Sequence, residues 1–185
     1  MHEILRAFDR LVTGMAYVSG ALFLLTSFYI TADVMARKFL GFSSAVTDEI
    51  GGYTLALGGM WGLAYALRTG GHVRIDVLLP YLPQRAQSSL NYLALAMMGL
   101  FACVVAVYTW RLAFDSFMGD ARAMSFLQTP LFLPQSLMAV GLTALGLGAL
   151  VLITAGLAES VRLGRLAPVK PLRGEEVGTG SVGRA

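Results

Sequence analysis

The sequence predicts an all-α membrane protein: four transmembrane helices, an amphipathic interfacial helix ahead of them and a disordered tail behind. Three observations predict it. The chain is 56% hydrophobic and only 14% charged, whereas roughly a quarter of the residues of a soluble domain are charged. Its mean hydropathy is positive. Its charges are gathered into short intervals between long apolar stretches, where a soluble fold would spread them over its whole surface.

The first span covers about 11–32, LVTGMAYVSGALFLLTSFYITA, and at about 1.5 Å per residue this uncharged run crosses the roughly 30 Å hydrocarbon core. It follows Arg6 and Arg10, as a signal peptide would, but the run is longer than an h-region and no A-x-A-like cleavage site follows it. It is therefore expected to remain as a helix. The second span covers about 50–67 and the third about 90–114, the latter uncharged until Arg111. The fourth covers about 131–157, with Pro134 near its start, where a missing backbone N–H does least damage.

Ahead of the first span, Ile4, Leu5, Phe8, Leu11 and Val12 recur at helical spacing, with Glu3, Arg6, Asp9 and Arg10 on the other side. That pattern predicts a helix lying along the membrane surface before the chain turns in. After Gly164 the chain is rich in Gly, Pro and charge and has little apolar surface to pack. Residues 1–163 are thus read as one membrane domain and 164–185 as a disordered tail.

Sidedness follows from the basic residues near span ends. The N-terminus (Arg6, Arg10), the second loop (Arg68, Arg74, Arg85) and the C-terminal segment (Arg162, Arg165, Lys170, Arg173, Arg184) hold ten of the fourteen; Arg37, Lys38, Arg111 and Arg122 are the rest. Both termini are expected in the cytoplasm. The basic residues form no stripe with interleaved aromatics, so a nucleic-acid partner is not expected. Cys103 is the sole cysteine, which excludes an internal disulfide and a CxxC pair.

Ion translocation and catalysis in a bilayer call for ionisable groups facing the bundle interior. None lies at the centre of these spans. Asp33 comes nearest, one turn before Arg37, where an i,i+4 ion pair accounts for it. His2 and His72 lie outside the spans, so haem held between two imidazoles is not expected. Nor is a metal site, since no Cys/His/Glu cluster occurs. No catalytic residue and no cofactor are expected. The competing reading is a self-sufficient small four-helix transporter acting as a dimer, which would depend on Asp33.

Small residues mark helix contacts instead. Gly52, Ala56 and Gly59 share one face of the second span, and Gly58 with Gly62 makes a GxxxG spacing suited to close helix approach, first of all within this chain. Tyr65, Tyr108 and Trp110 are placed to anchor at the interfaces; Trp61 sits deeper and is expected to pack on a neighbouring helix. In the first loop, Asp48 and Glu49 are expected to cap the incoming helix. In the second, His72, Arg74 and Asp76 alternate with Val73, Ile75 and Val77, the pattern of an extended or interfacial segment with one wet side.

Taken together, these loops resemble the DctQ-type small membrane subunit of tripartite ATP-independent periplasmic (TRAP) transporters. The resemblance covers nearly the whole chain up to the tail. It rests on Arg37 closing the first span, the Asp48–Glu49 pair, the GGHVRID stretch with Gly71, His72, Arg74 and Asp76, and LQTPLFLPQSLM with Pro130 and Pro134. Where the family often carries a Trp-Thr-Glu-Glu-like pattern, this chain has Val46, Thr47, Asp48 and Glu49, and so lacks an indole there.

The resemblance implies a bacterial inner-membrane importer of three components. A periplasmic solute-binding protein captures an organic acid, and a large DctM-type permease subunit moves it using a sodium gradient. The small subunit packs on the static part of the large one and offers docking surface to the binding protein.

Overall fold

The computed structural model describes residues 2–69 and 83–163. Four helices account for most of them: α1 (His2–Leu40), α2 (Thr47–Thr69), α3 (Gln84–Met118) and α4 (Phe132–Leu163). Among the described residues there is no β-strand. An antiparallel pairing of Arg122 with Pro130 is confined to the loop between α3 and α4. Each helix outruns its apolar stretch, because backbone hydrogen bonding continues past the point where side chains leave hydrocarbon.

Three helices are long and apolar enough to cross a bilayer, over Ala7–Leu40, Ala86–Met118 and Phe132–Ser160. The chain is thus a multi-pass membrane protein. At 23 residues, α2 extends about 35 Å, but its glycines, threonines and tyrosines leave its longest apolar stretch less hydropathic than those of the other three.

The expected turn between a surface helix and the first span is absent: residues 2–40 form one unbroken helix. No Gly or Pro interrupts the first twelve positions. The face that suggested a membrane surface is used for helix contact. Val12 is fully buried and Met15 nearly so, with Phe8 packed against the same core, while Asp9 and Thr13 turn to Arg68 of α2.

Packing runs in the order α1, α2, α4, α3, with only a slight contact between α1 and α4. Half of the most apolar stretch of α4 is buried, against 22% for α1 and for α3. The result is a layer with α2 and α4 in the middle and two flanking helices that present broad apolar surfaces. Alanine and leucine share the seams: Ala64, Ala102, Ala144 and Ala149 join Val12, Met15, Leu67, Leu95, Leu145 and Leu152 in one core. Without a hydrophobic drive in lipid, close backbone approach of this kind is the main source of helix affinity. Ser19, Thr109 and Thr143 donate to backbone oxygens four residues earlier, which satisfies hydroxyls that would otherwise be orphaned in apolar surroundings.

Candidate functional site

The polar side chains of the four helices meet in joints near their ends. At the end carrying the first and third loops, Asp33 is nearly buried and holds the first loop. Its Oδ1 accepts the Ser44 N–H at 2.6 Å and its Oδ2 accepts Ser43 Oγ at 3.3 Å. Arg37 donates to Oδ2 at 3.1 Å while remaining largely exposed, the i,i+4 pair read from the spacing. The loop begins at Gly41, whose φ of 71° is a left-handed conformation that glycine adopts without cost and that ends α1. Buried among these partners, the carboxylate has the geometry of a loop anchor.

Asp48 and Glu49 stand in the first turn of α2. Glu49, which precedes the apolar stretch 50–67, accepts a hydrogen bond from Tyr53 at 2.8 Å. Its other oxygen is buried beside Ser125 and Thr129 of the third loop, with no partner at full hydrogen-bonding geometry. The Ser125 hydroxyl, opposed by burial and aided by Tyr53 and Thr129, holds the Glu49 carboxyl below its ordinary value. Glu49 thereby sits where α2 meets the third loop.

That loop is itself ordered by the sequence. α3 closes with Asp120 in a left-handed conformation, φ 43°, and with the Ala121 N–H on Ser116 O and the Asp120 N–H on Phe117 O. This is the Schellman pattern with Asp at the position that usually holds Gly. Ala123 N–H to Thr129 O and Leu131 N–H to Ala121 O pair the two arms. Pro130 lies in the paired arm, where its missing N–H is not needed. Pro134 lies in the first turn of α4.

At the opposite end, Arg68 is 3% exposed; it forms an ion pair with Asp9 and donates to Thr13 Oγ1 at 2.6 Å. The sequence reading assigned Arg68 to the second loop. Its signal was an uncharged run ending in a basic residue at the height of Asp9, which is ambiguous between loop and joint. Between the two ends the cross-helix bonds are few: Thr26 with Thr54 at 2.8 Å, Trp61 Nε1 to Leu137 O at 2.8 Å and Trp110 Nε1 to Thr143 Oγ1 at 3.1 Å. Both indoles thus serve helix packing as well as bulk. Trp61 fills the space before Gly141, where a Cβ would stand 2.7 Å from its Cδ1.

The glycines of α2 divide. Gly58 faces α1, and the Phe23 ring occupies the space that a side chain there would need. Gly52, Gly59 and Gly62 have open space before them, and Ala56 is half-buried. The GxxxG spacing of Gly58 and Gly62 therefore does not act as one contact surface within this chain. Gly71, His72, Arg74 and Asp76 lie outside the described residues, as does the tail 164–185.

Among the described residues no three His, Cys, Asp or Glu side chains gather as a metal-binding group. The fold and its joints define a small multi-pass helical membrane component whose polar residues hold helices and loops together. The family model for "Tripartite ATP-independent periplasmic transporters, DctQ component" matches residues 26–159, most of the chain, and the protein belongs to that family. It is a small membrane subunit of a TRAP transporter, from a family of transporter components and not of enzymes. No curated protein and no solved structure matches the chain.

Proposed function

We propose that this subunit is the stationary partner of a large DctM-type permease subunit and a docking surface for a periplasmic solute-binding protein, in sodium-driven import of an organic acid. In this reading it sits in the bacterial inner membrane, α2 crosses it as the second of four spans, and both termini are cytoplasmic.

The observation that carries the proposal is the outward face of α2, where Gly52, Gly59 and Gly62 have nothing packed before them and Leu55 is exposed. A glycine-rich helix face offers lipid little side-chain surface to contact. An open glycine face lets a partner helix approach its backbone. Support also comes from the charges: none lies between Arg10 and Asp33, between Glu49 and Arg68, or between Ala123 and Ala158. Asp33 is committed to the first loop. Little is left in this chain to bind an ion or a polar solute within the bilayer.

Two measurements test it. Gly59→Leu should abolish co-purification with the large subunit while leaving the thermal stability of the isolated subunit unchanged. Vesicles holding this chain alone should show no sodium-dependent uptake, whereas the three components together should. Robust uptake by the chain alone would overturn the proposal.

A further inference from the structure

The hairpin between α3 and α4 is fixed in shape, yet its apex is apolar and bare. Its arms are held by the Schellman closure at Asp120, by the pairing of Ala121 with Leu131 and of Ala123 with Thr129, and by a turn in which the Gln128 N–H bonds Ser125 O at 3.3 Å with Gln128 at φ 46°. Glu49 of α2 abuts Ser125 and Thr129. Beyond the pairing stand Met124, fully exposed, Phe126 at 81% and Leu127 at 52%.

No charged residue occurs from Ala123 to Leu131. A water-facing turn of this length ordinarily carries Asn, Asp, Gly or Pro at its apex, and large apolar groups there need another solvent. The exposed apolar surface of α3 runs through Phe114, Phe117 and Met118 to the foot of the hairpin, and that of α4 resumes at Leu133 and Leu137. The edge-to-face contact of Phe117 with Phe132, at 5.3 Å between centroids, joins the two. The apex thus continues the lipid-facing surface of two membrane-crossing helices. With the arms paired, it lies within about three residues, or about 10 Å, of the helix ends, so a hairpin inclined along the membrane surface keeps it inside a headgroup layer roughly 5–8 Å deep.

We infer that Met124, Phe126 and Leu127 are seated in the headgroup–acyl boundary of the leaflet at this end, so that the hairpin is an interfacial anchor. Lipid is the occupant, and no second protein is required.

The full-length chain in phosphatidylcholine–phosphatidylglycerol vesicles provides the test. In a Cys103→Ala background a nitroxide is placed by Phe126→Cys, with Arg122→Cys as a loop control and Leu112→Cys as a control in the α3 span. Collision rates with oxygen and with a water-soluble nickel chelate are then compared. The oxygen-to-nickel ratio at 126 should exceed that at 122 several-fold and approach that at 112, and a Met124→Cys label should agree. Equal ratios at 126 and 122 would overturn the inference. So would a water-like label at 126 that becomes shielded only when the large subunit or the binding protein is added, since the apex would then be a protein-docking element.

Discussion

Arg68 and Asp9 stand 59 positions apart in the chain and form an ion pair that fastens the last turn of α2 to the third turn of α1. The guanidinium is 3% exposed and the carboxylate 36%. Removing one member of a fully buried pair costs about 3–5 kcal/mol because the survivor is left uncompensated. Because Arg68 keeps Thr13 as an acceptor, Asp9→Ala is expected to cost less than that, about 2 kcal/mol. The paired replacement Asp9→Leu with Arg68→Met should recover most of that loss, since an apolar pair of similar volume needs no compensation. A double-mutant cycle on thermal unfolding in detergent measures the coupling, and additive losses would refute it.

Gly58 and Gly59 are neighbours in sequence with opposite duties. A leucine at 58 collides with the Phe23 ring, and overpacking against a ring in a helix seam should cost about 3 kcal/mol or more. Gly58→Leu should lower the unfolding temperature of the isolated subunit. At Gly59 the space is open, so the same substitution should leave that temperature unchanged. Equal destabilisation at both positions would show that the seam is not where these contacts put it.

How much of this was legible follows from what each signal measures. Hydropathy reports hydrocarbon exposure, so the apolar runs located the helices while missing their ends: 11–32 became part of His2–Leu40, and 90–114 part of Gln84–Met118. The spacing of Phe8 and Val12 against Asp9 suggested a helix with one wet side at a membrane surface, but Asp9 turns to Arg68 in the same seam where Phe8 and Val12 pack. The presence of Arg68 opposite Asp9 decides between surface and seam, and that is a long-range fact. Likewise Asp33 and Arg37 were legible because their partnership is local, whereas Ser43 and Ser44 reach Asp33 only through the turn at Gly41. The contact of Glu49 with Ser125 and Thr129 left no local trace at all.

Asp33 also separates two classes of function. As a loop anchor it needs its acceptor oxygens more than its charge, because the Ser44 N–H and the Ser43 hydroxyl both donate to it. Asp33→Asn retains an acceptor and should preserve assembly and uptake by the complete transporter. Asp33→Ala removes both acceptors and should raise proteolysis within 41–46. Loss of uptake by the Asn variant, with assembly intact, would instead assign Asp33 to ion coupling.

Glu49 makes the contact between α2 and the third-loop hairpin depend on pH. Its folded-state value lies below the ordinary 4.5, the Ser125 hydroxyl being the main cause. A depressed carboxyl contributes stability that is fully present above the unfolded value and is lost as pH falls through the folded one. Protection of the Ala121, Ala123 and Leu131 amides, corrected for intrinsic exchange, should therefore hold from neutral pH down to 4.5 and decline below it. Glu49→Gln removes the titrating group and should give a lower, flat profile, because a neutral amide attracts the neighbouring hydroxyls less than a carboxylate does. If the Gln variant lost protection over the same acidic range as the parent, the pH dependence would belong to another group and the contact would not be electrostatic.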